Sequence, residues 1–265
     1  MINVSKRHVY FIEGGDNVGK TTTIQNFKQN KYIESIRFNR VRFSKYPTSN
    51  ATDTINSLNT LYKENETRHK NKEVKDSEYI KTKRSVLESL INTMICDMIS
   101  SFDTLYNDKC VMTYPDDVLE ICDRGFLSTY LYQYRDMPGL MQKLISNIDA
   151  ELEHLKVFIN KYLPPTMNDI NVIILNNNAN PLLADIIMDD TETIEYKKDF
   201  DNNIELQTRI NNSLNNIVRL IQQDKIYDLL PIKFYYINIF DKTGSIRKSP
   251  DEICEEIKAI INKEE

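Results

Sequence analysis

With 265 residues, 40% of them hydrophobic, the chain can bury the core of one large α/β domain, and we expect a single domain over residues 1–265. Its formal net charge of −5 argues against general binding to nucleic acid, although it does not exclude a local basic groove for phosphates. No apolar run approaches the roughly 18 residues that span a membrane, and the first residues lack the apolar core of a signal peptide. We therefore expect a cytoplasmic protein that binds neither nucleic acid nor membranes.

The first pattern along the chain is a short apolar run, a glycine-rich loop and a helical segment. Residues 8–12 (HVYFI) predict a buried strand, and residues 22–27 predict a helix. Between them, residues 14–21 read GGDNVGKT, which fits the pattern G-x-x-x-x-G-K-[ST] of a P-loop. We call residues 14–21 the glycine loop. It contains three of the chain's 6 glycines.

The spacing of the glycine loop suits phosphate chemistry. Backbone N–H groups that all turn inward need conformations that glycine reaches at low cost, and such donors can surround a phosphate chain. The Lys20 ammonium can then neutralise the β and γ phosphates of a nucleotide. The Thr21 hydroxyl can ligate Mg²⁺ at the positive end of the helix dipole. The alternative interpretation is an ordinary turn that contains glycine.

The segments after the glycine loop alternate between strand and helix patterns. Residues 37–43 alternate polar and apolar side chains, which predicts the second strand. Residues 53–83 form a polar, charge-rich insertion, typical of a solvated face or a mobile loop. Apolar residues at helical spacing predict a long amphipathic helix over 85–106. Residues 118–122 then predict the third strand, and 126–134 a helix.

The carboxyl-terminal half continues the alternation. Residues 172–175 predict a fourth strand and 234–237 a fifth, with a polar stretch at 189–201 and a helix at 204–223 between them. A last helix is expected after Ser249, because a serine cap followed by proline is a helix-start signature. Strands that alternate with helices indicate an α/β fold with a five-stranded parallel sheet covered on both faces.

A second group of chemically useful side chains follows the third strand. Asp123 ends this strand, where its carboxylate can reach Mg²⁺ near Thr21; its alternative role is to cap the following helix. Arg124, Ser128 and Tyr132 recur at every fourth position, so they share one helix face. Arg124 at the start of this face is placed to clamp a phosphate. The sequence therefore predicts a metal site at Thr21 and Asp123.

Two segments carry motifs that are longer than the glycine loop alone. Residues 11–22 read FIEGGDNVGKTT, and residues 123–133 read DRGFLSTYLYQ. The first resembles the opening F-x-E-G-x-D-x-x-G-K-T-T of thymidylate kinases, and the second is similar to their D-R-Y-x-x-S-x-x-A-Y-Q segment. The resemblance implies a three-layer P-loop NTPase fold like that of nucleoside monophosphate kinases. It also implies a homodimer formed through helices, with ATP and Mg²⁺ as donor and cofactor.

The resemblance assigns residues to the two substrates. It implies that Lys20 and the loop amides hold the ATP phosphates, and that Asp16 approaches the acceptor sugar or the metal. It further implies that Arg124 grips the acceptor phosphate and that Gln133 faces the acceptor base. The residues expected to bind ATP are Gly14, Gly15, Asp16, Asn17, Val18, Gly19, Lys20, Thr21 and Thr22. The residues expected to bind the acceptor are Asp16, Arg124, Ser128, Tyr132 and Gln133.

The chain departs from the family where a catalytic arginine is expected. Family members place that arginine in the glycine loop, where this chain has Asn17, or in a lid, for which residues 189–201 offer only Lys197 and Lys198. A cation near the transferring phosphoryl group is expected on electrostatic grounds, so one of these lysines can serve, and a solvated surface is their alternative role. The candidate catalytic residues are Lys20, Arg124, Lys197 and Lys198.

These features favour a kinase that uses ATP and Mg²⁺ to phosphorylate a deoxynucleoside monophosphate, with dTMP to dTDP as the expected reaction. The family binds thymine with an aromatic and an arginine side chain, and residues 90–98 contain neither. Two alternatives stay open. One is a deoxynucleoside kinase on a related fold, with Glu13 as the carboxylate base. The other is a nucleotide-binding module that has lost catalysis.

Overall fold

A parallel β-sheet of five strands forms the centre of the computed structural model, in the order β2-β3-β1-β4-β5. The strands are β1 (His8–Gly14), β2 (Arg40–Lys45), β3 (Val118–Asp123), β4 (Ile170–Asn176) and β5 (Lys233–Asn238). The structure describes residues 8–16, 18–106, 118–138, 148–164, 170–177, 204–229, 231–241, 244 and 246–263. The expected five-stranded parallel sheet is confirmed.

Strand β1 lies in the middle of the sheet and pairs with β3 on one side and β4 on the other. Its apolar side chains alternate between the two faces. Val9 and Phe11 belong to one hydrophobic core, whereas Tyr10 and Ile12 belong to a second. All four are buried, the pattern of a parallel strand with helices on both sides.

Helices cover both faces of the sheet, so the chain forms three layers. They are α1 (Lys20–Phe27), α2 (Asn30–Ile33), α3 (Ser49–Lys70), α4 (Asp76–Tyr106), α5 (Phe126–Tyr132), α6 (Ile148–Tyr162), α7 (Ile204–Gln222) and α8 (Pro250–Lys263). Helices α1, α2 and α8 pack on the face of Tyr10, whereas α4, α5, α6 and α7 pack on the face of Phe11. Helix α8 starts as predicted, because the Ser249 hydroxyl accepts from the Glu252 amide and the Glu252 carboxylate accepts from Ser249.

Several element boundaries differ from those predicted, and the long helix predicted over 85–106 begins earlier, at Asp76. Strand β2 spans Arg40–Lys45 and not 37–43, because its position is set by pairing with β3, in which Lys45 faces Asp123. Phe38 lies before the strand and is buried instead against the second core, with its ring 4.7 Å from that of His8. The helix predicted over 126–134 ends at Tyr132 and is followed by a short 3₁₀ turn.

The polar insertion at 53–83 is helical. It contains most of α3 and the first turns of α4, which pack against each other as a hairpin. Only Ala51, Ile55 and Asn65 of α3 are buried, so this helix has a broad solvated face. The composition allowed either a solvated face or a mobile loop, and the prediction of a loop is wrong. The polar sequence reflects exposure of a helix and not the absence of one.

Some expectations lie outside the described residues. They include the lid at 189–201 with Lys197 and Lys198, and Asn17 of the glycine loop. Among the residues that the structure describes, no helix is both long enough and apolar enough to cross a membrane.

Gly125 allows the chain between β3 and α5 to pass close to Phe11. A Cβ atom added at Gly125 would lie 2.3 Å from the Phe11 ring, whereas its backbone φ of −166° suits any residue. We therefore expect Gly125→Ala to lower the free energy of unfolding by about 1–3 kcal/mol through overpacking. Urea unfolding measures this change.

A double variant separates the collision with Phe11 from other effects at Gly125. In a Phe11→Leu background the ring is gone, so Gly125→Ala is expected to cost clearly less than in the wild type. The same cost in both backgrounds would contradict the steric explanation.

Candidate functional site

The candidate site lies at the carboxyl ends of β1 and β3. After β1 the chain passes β3 to reach the edge strand β2, and after β3 it passes β1 to reach β4. The connections therefore leave the two neighbouring strands in opposite directions. Sheets of this kind bind ligands at such a switch point. Here the point is flanked by the glycine loop after β1 and by Asp123 at the end of β3.

Lys20 reaches back into the glycine loop. Its Nζ donates hydrogen bonds to the carbonyl oxygens of Gly14, at 3.0 Å, and of Gly15. Burial, together with the nearby Arg124 cation, lowers the pKa of Lys20 to about 8. An anion placed in the loop would offset both effects, because it adds an opposite charge beside the ammonium.

The start of α1 offers backbone donors to an anion. The helix begins at Lys20, directly after Gly19, whose φ of +88° lies in the left-handed region that favours glycine. Among the described residues no side chain caps this end, and the first turn contains no acidic residue. The amide groups of the first turn thus have no capping side chain as acceptor, which is the usual setting for a phosphate.

Thr21 and Asp123, the predicted metal ligands, meet at this point. The Thr21 hydroxyl donates to Asp123 Oδ2 at 3.2 Å. Asp123 is 5% exposed, and its Oδ1 has no hydrogen-bond partner among the described residues. The alternative capping role of Asp123 is wrong, because α5 begins at Phe126 with no side-chain cap.

The orphaned oxygen of Asp123 fits a hard cation. A buried carboxylate oxygen without a partner is costly, and Mg²⁺ is held by one or two protein oxygens together with substrate phosphates. Within the described ranges no three His, Cys, Asp or Glu side chains cluster as a metal cage. Thr21 and Asp123 offer two oxygen ligands that fit a cation whose further ligands are phosphate oxygens or water.

Asp16 connects the glycine loop with a neighbouring cavity. Its Oδ1 accepts from the Tyr132 hydroxyl at 2.6 Å and from the Arg124 guanidinium at 3.4 Å. Its Oδ2 accepts from Gln207 Nε2 on α7 at 2.6 Å. No local pattern in the sequence marks Gln207. It anchors the start of α7 to the loop.

Arg124 does not lie on α5, which corrects the prediction that it shares a helix face with Ser128 and Tyr132. The helix begins two residues later, and Arg124 itself has a left-handed φ of +69°. This conformation costs of order 1 kcal/mol in a residue other than glycine and is often found at functional sites. Its amide donates to Ile12 O at 3.1 Å, which ties the turn to β1.

A cavity of about 130 Å³ opens beside Arg124. The predicted acceptor residues Arg124, Ser128, Tyr132 and Gln133 all line it. Its other walls were not predicted from the sequence: they are Tyr46 and Pro47 after β2, Met94 and Met98 on α4, and Gly125 and Thr129. The two methionines occupy the α4 wall, where an aromatic and an arginine were expected.

Glu13, the candidate base of the deoxynucleoside kinase alternative, lies beneath this cavity. It is fully buried, and burial raises its pKa. Its two carboxylate oxygens accept from the Ser128 amide at 3.2 Å and from the Ser128 hydroxyl at 2.5 Å. A carboxylate so enclosed orients Ser128 and has no open path to a substrate hydroxyl.

The remaining loop residues divide between core and surface. The Val18 side chain is buried in the same hydrophobic core as residues of α1, so it anchors the glycine loop to that core. Thr22 is exposed on the first turn of α1. Searches against models of known protein families and against curated protein sequences found no significant match to this chain.

Proposed function

We propose that this chain is a kinase that transfers the γ-phosphoryl group of ATP, with Mg²⁺, to a deoxynucleoside monophosphate, most readily converting dTMP to dTDP. Its fold would then be a P-loop NTPase fold of the nucleoside monophosphate kinase type. The observation that carries the proposal is the contact between Asp16 of the glycine loop and Arg124 of the cavity. It brings a candidate donor-phosphate site and a candidate acceptor-phosphate site side by side.

On the donor side, Lys20 and the first amides of α1 would hold the ATP phosphates. The Lys20 ammonium exchanges the carbonyls of Gly14 and Gly15 for phosphate oxygens, which are stronger partners because they are charged. Thr21 and Asp123 would hold Mg²⁺, which would neutralise charge on the β and γ phosphates.

On the acceptor side, the Arg124 guanidinium would bind the monophosphate. Its side chain is 34% exposed, and its contact with Asp16 is long, so a phosphate can replace that partner at low cost. Gln133 can then hydrogen-bond the base, and Met94 and Met98 provide an apolar wall for its ring.

The transfer step needs positioning and charge neutralisation more than proton transfer. A monophosphate acceptor is already an anion near neutral pH, so its oxygen can attack the γ-phosphorus in line without a strong base. A nucleoside hydroxyl would require such a base. The burial of Glu13 therefore favours a monophosphate acceptor over a nucleoside.

An assay of ADP release across acceptors tests the proposal. With MgATP we expect turnover of dTMP, less of the other deoxynucleoside monophosphates, and none of thymidine. Turnover of thymidine without dTMP would identify a deoxynucleoside kinase. Tight ATP binding without turnover of any acceptor would identify a binding module. Either result would overturn the proposal.

The lowered pKa of Lys20 predicts that phosphate binding is coupled to proton uptake. The free protein at pH 8.5 has Lys20 only partly protonated, because its pKa is about 8. Bound phosphate raises that pKa, so binding takes up protons at this pH, and affinity falls as pH rises through 8. Calorimetry of ADP binding in two buffers of different ionisation enthalpy measures the uptake.

Two variants provide the controls for the proton-uptake measurement. Lys20→Met is expected to abolish the dependence on buffer, whereas Lys63→Met, on the exposed side of α3, is expected to keep it. Equal binding enthalpies in both buffers for the wild type would contradict the prediction.

A further inference from the structure

A second cation, Arg247, lies against the glycine loop. A Cβ atom added at Gly19 would be 2.9 Å from Arg247 Nη2, so the guanidinium is in contact with the residue that precedes α1. Arg247 comes from the turn after β5, distant from the loop in sequence. No motif in the sequence marked it.

The turn that carries Arg247 is held by backbone hydrogen bonds on both sides. Phe240 and Arg247 form an antiparallel bridge. Around it, the Asp241 amide donates to Ile246 O and the Lys248 amide donates to Ile239 O, both at 2.8 Å. The backbone of Arg247 is therefore fixed beside the loop, and its side chain need only extend to Gly19.

On the side that faces the glycine loop, the Arg247 guanidinium lies in a positive electrostatic environment. The start of α1 carries the positive end of the helix dipole, and Lys20 is the first residue of that helix. Burial lowers the pKa of Arg247, as it does for Lys20, since both cations lose solvation. Independently, the partnerless Oδ1 of buried Asp123 indicates that this same edge of the sheet accommodates a further ligand.

We propose that Arg247 is a binding residue for the phosphate chain of the donor nucleotide, which it contacts beside Gly19 at the start of α1. This inference rests on the proposed function for the identity of the donor. Beside Lys20, it supplies a second cation for the donor phosphates from a described part of the chain, whereas Lys197 and Lys198, the lid lysines predicted from the sequence, lie outside that part. A planar guanidinium can hold two phosphate oxygens at once, which a lysine cannot.

Binding measurements on variants test the role of Arg247. The ligands are ADP and inorganic tripolyphosphate, which shares the phosphates but has no base or sugar. Arg247→Ala is expected to weaken both by about 10- to 100-fold, the effect of losing charge-assisted hydrogen bonds. Arg247→Lys should recover part of the loss. Arg40→Ala, an exposed arginine at the opposite, amino end of β2, should bind both ligands like the wild type.

Each other outcome overturns the inference. If Arg247→Ala bound tripolyphosphate with wild-type affinity, the inference would be wrong. If only ADP binding were weakened, Arg247 would contact the base or the sugar and not the phosphates. Thermal unfolding checks the fold, and the uncharged Arg247→Gln replaces the alanine variant if that one does not fold. A wild type that binds neither ligand refutes both proposals. A wild type that binds them but phosphorylates no acceptor refutes the proposed function alone.

Discussion

Lys20→Ala is expected to lower kcat/KM for phosphoryl transfer by about 10³-fold or more. Lys20 is the one basic residue in the glycine loop, and its ammonium already lies among the loop carbonyls. Its removal leaves the charge that spreads over the transferring phosphoryl group without its closest cation. Steady-state ADP release with dTMP as acceptor measures the loss.

The same Lys20→Ala variant is expected to fold normally. Burial lowers the Lys20 pKa, so the charged side chain is held at a cost in the free protein, and its removal should not reduce the free energy of unfolding. Lys63→Ala, which changes an exposed lysine of α3, should keep full activity. If a folded Lys20→Ala retained activity within about threefold of the wild type, the glycine loop would not be a phosphate site.

The parts of the fold that follow from local pattern were predictable. Residues 8–12 and 22–27 predicted β1 and α1. The apolar run of a buried strand and the glycine pattern that follows it are both visible in a short stretch of sequence. The range predicted for β2 was wrong by several residues, because the limits of this strand depend on its pairing with β3, which is distant in sequence. Edge strands such as β2 are only partly buried, so their apolar pattern is weaker.

Composition alone could not separate an exposed helix from a loop. Helix α3 fully buries only Ala51, Ile55 and Asn65, and its apolar stripe, continued by the partly buried Leu58 and Tyr62, is short compared with its polar surface. Polar pairs such as Lys83 with Glu66, at 3.2 Å, also join it to α4. Such pairs are not visible until the two helices are placed side by side.

Some residues of the candidate site could also be predicted from the sequence, and others could not. Thr21 and Asp123 could be placed together from sequence, because the carboxyl ends of neighbouring parallel strands meet at one edge of the sheet. Gln207 and Arg247 could not, since each reaches the glycine loop from a distant segment with no motif of its own. Distant residues of this kind become visible only in the folded chain.

Arg124→Ala is expected to weaken dTMP binding by about 10²-fold while leaving the Kd for ATP within about threefold of the wild type. The guanidinium lines the cavity with Ser128 and Tyr132, and its charge-assisted hydrogen bonds to a monophosphate would be lost. Arg124→Lys should recover only part of the affinity, because a lysine keeps the charge but not the planar fork. Calorimetry with each substrate separately measures both constants.

Because Arg124 contacts Asp16, measuring the affinities for dTMP and ATP separately is a strict test of its role. Asp16 belongs to the glycine loop, so an arginine that acted by holding Asp16 would affect ATP when removed. Collapse of ATP binding with dTMP binding intact would therefore show that Arg124 serves the donor. Arg68→Ala, exposed on α3, controls for the loss of one positive charge. Because Tyr132 and Gln207 still hold Asp16 in the variant, the loop should keep its shape, and only the acceptor should lose its partner.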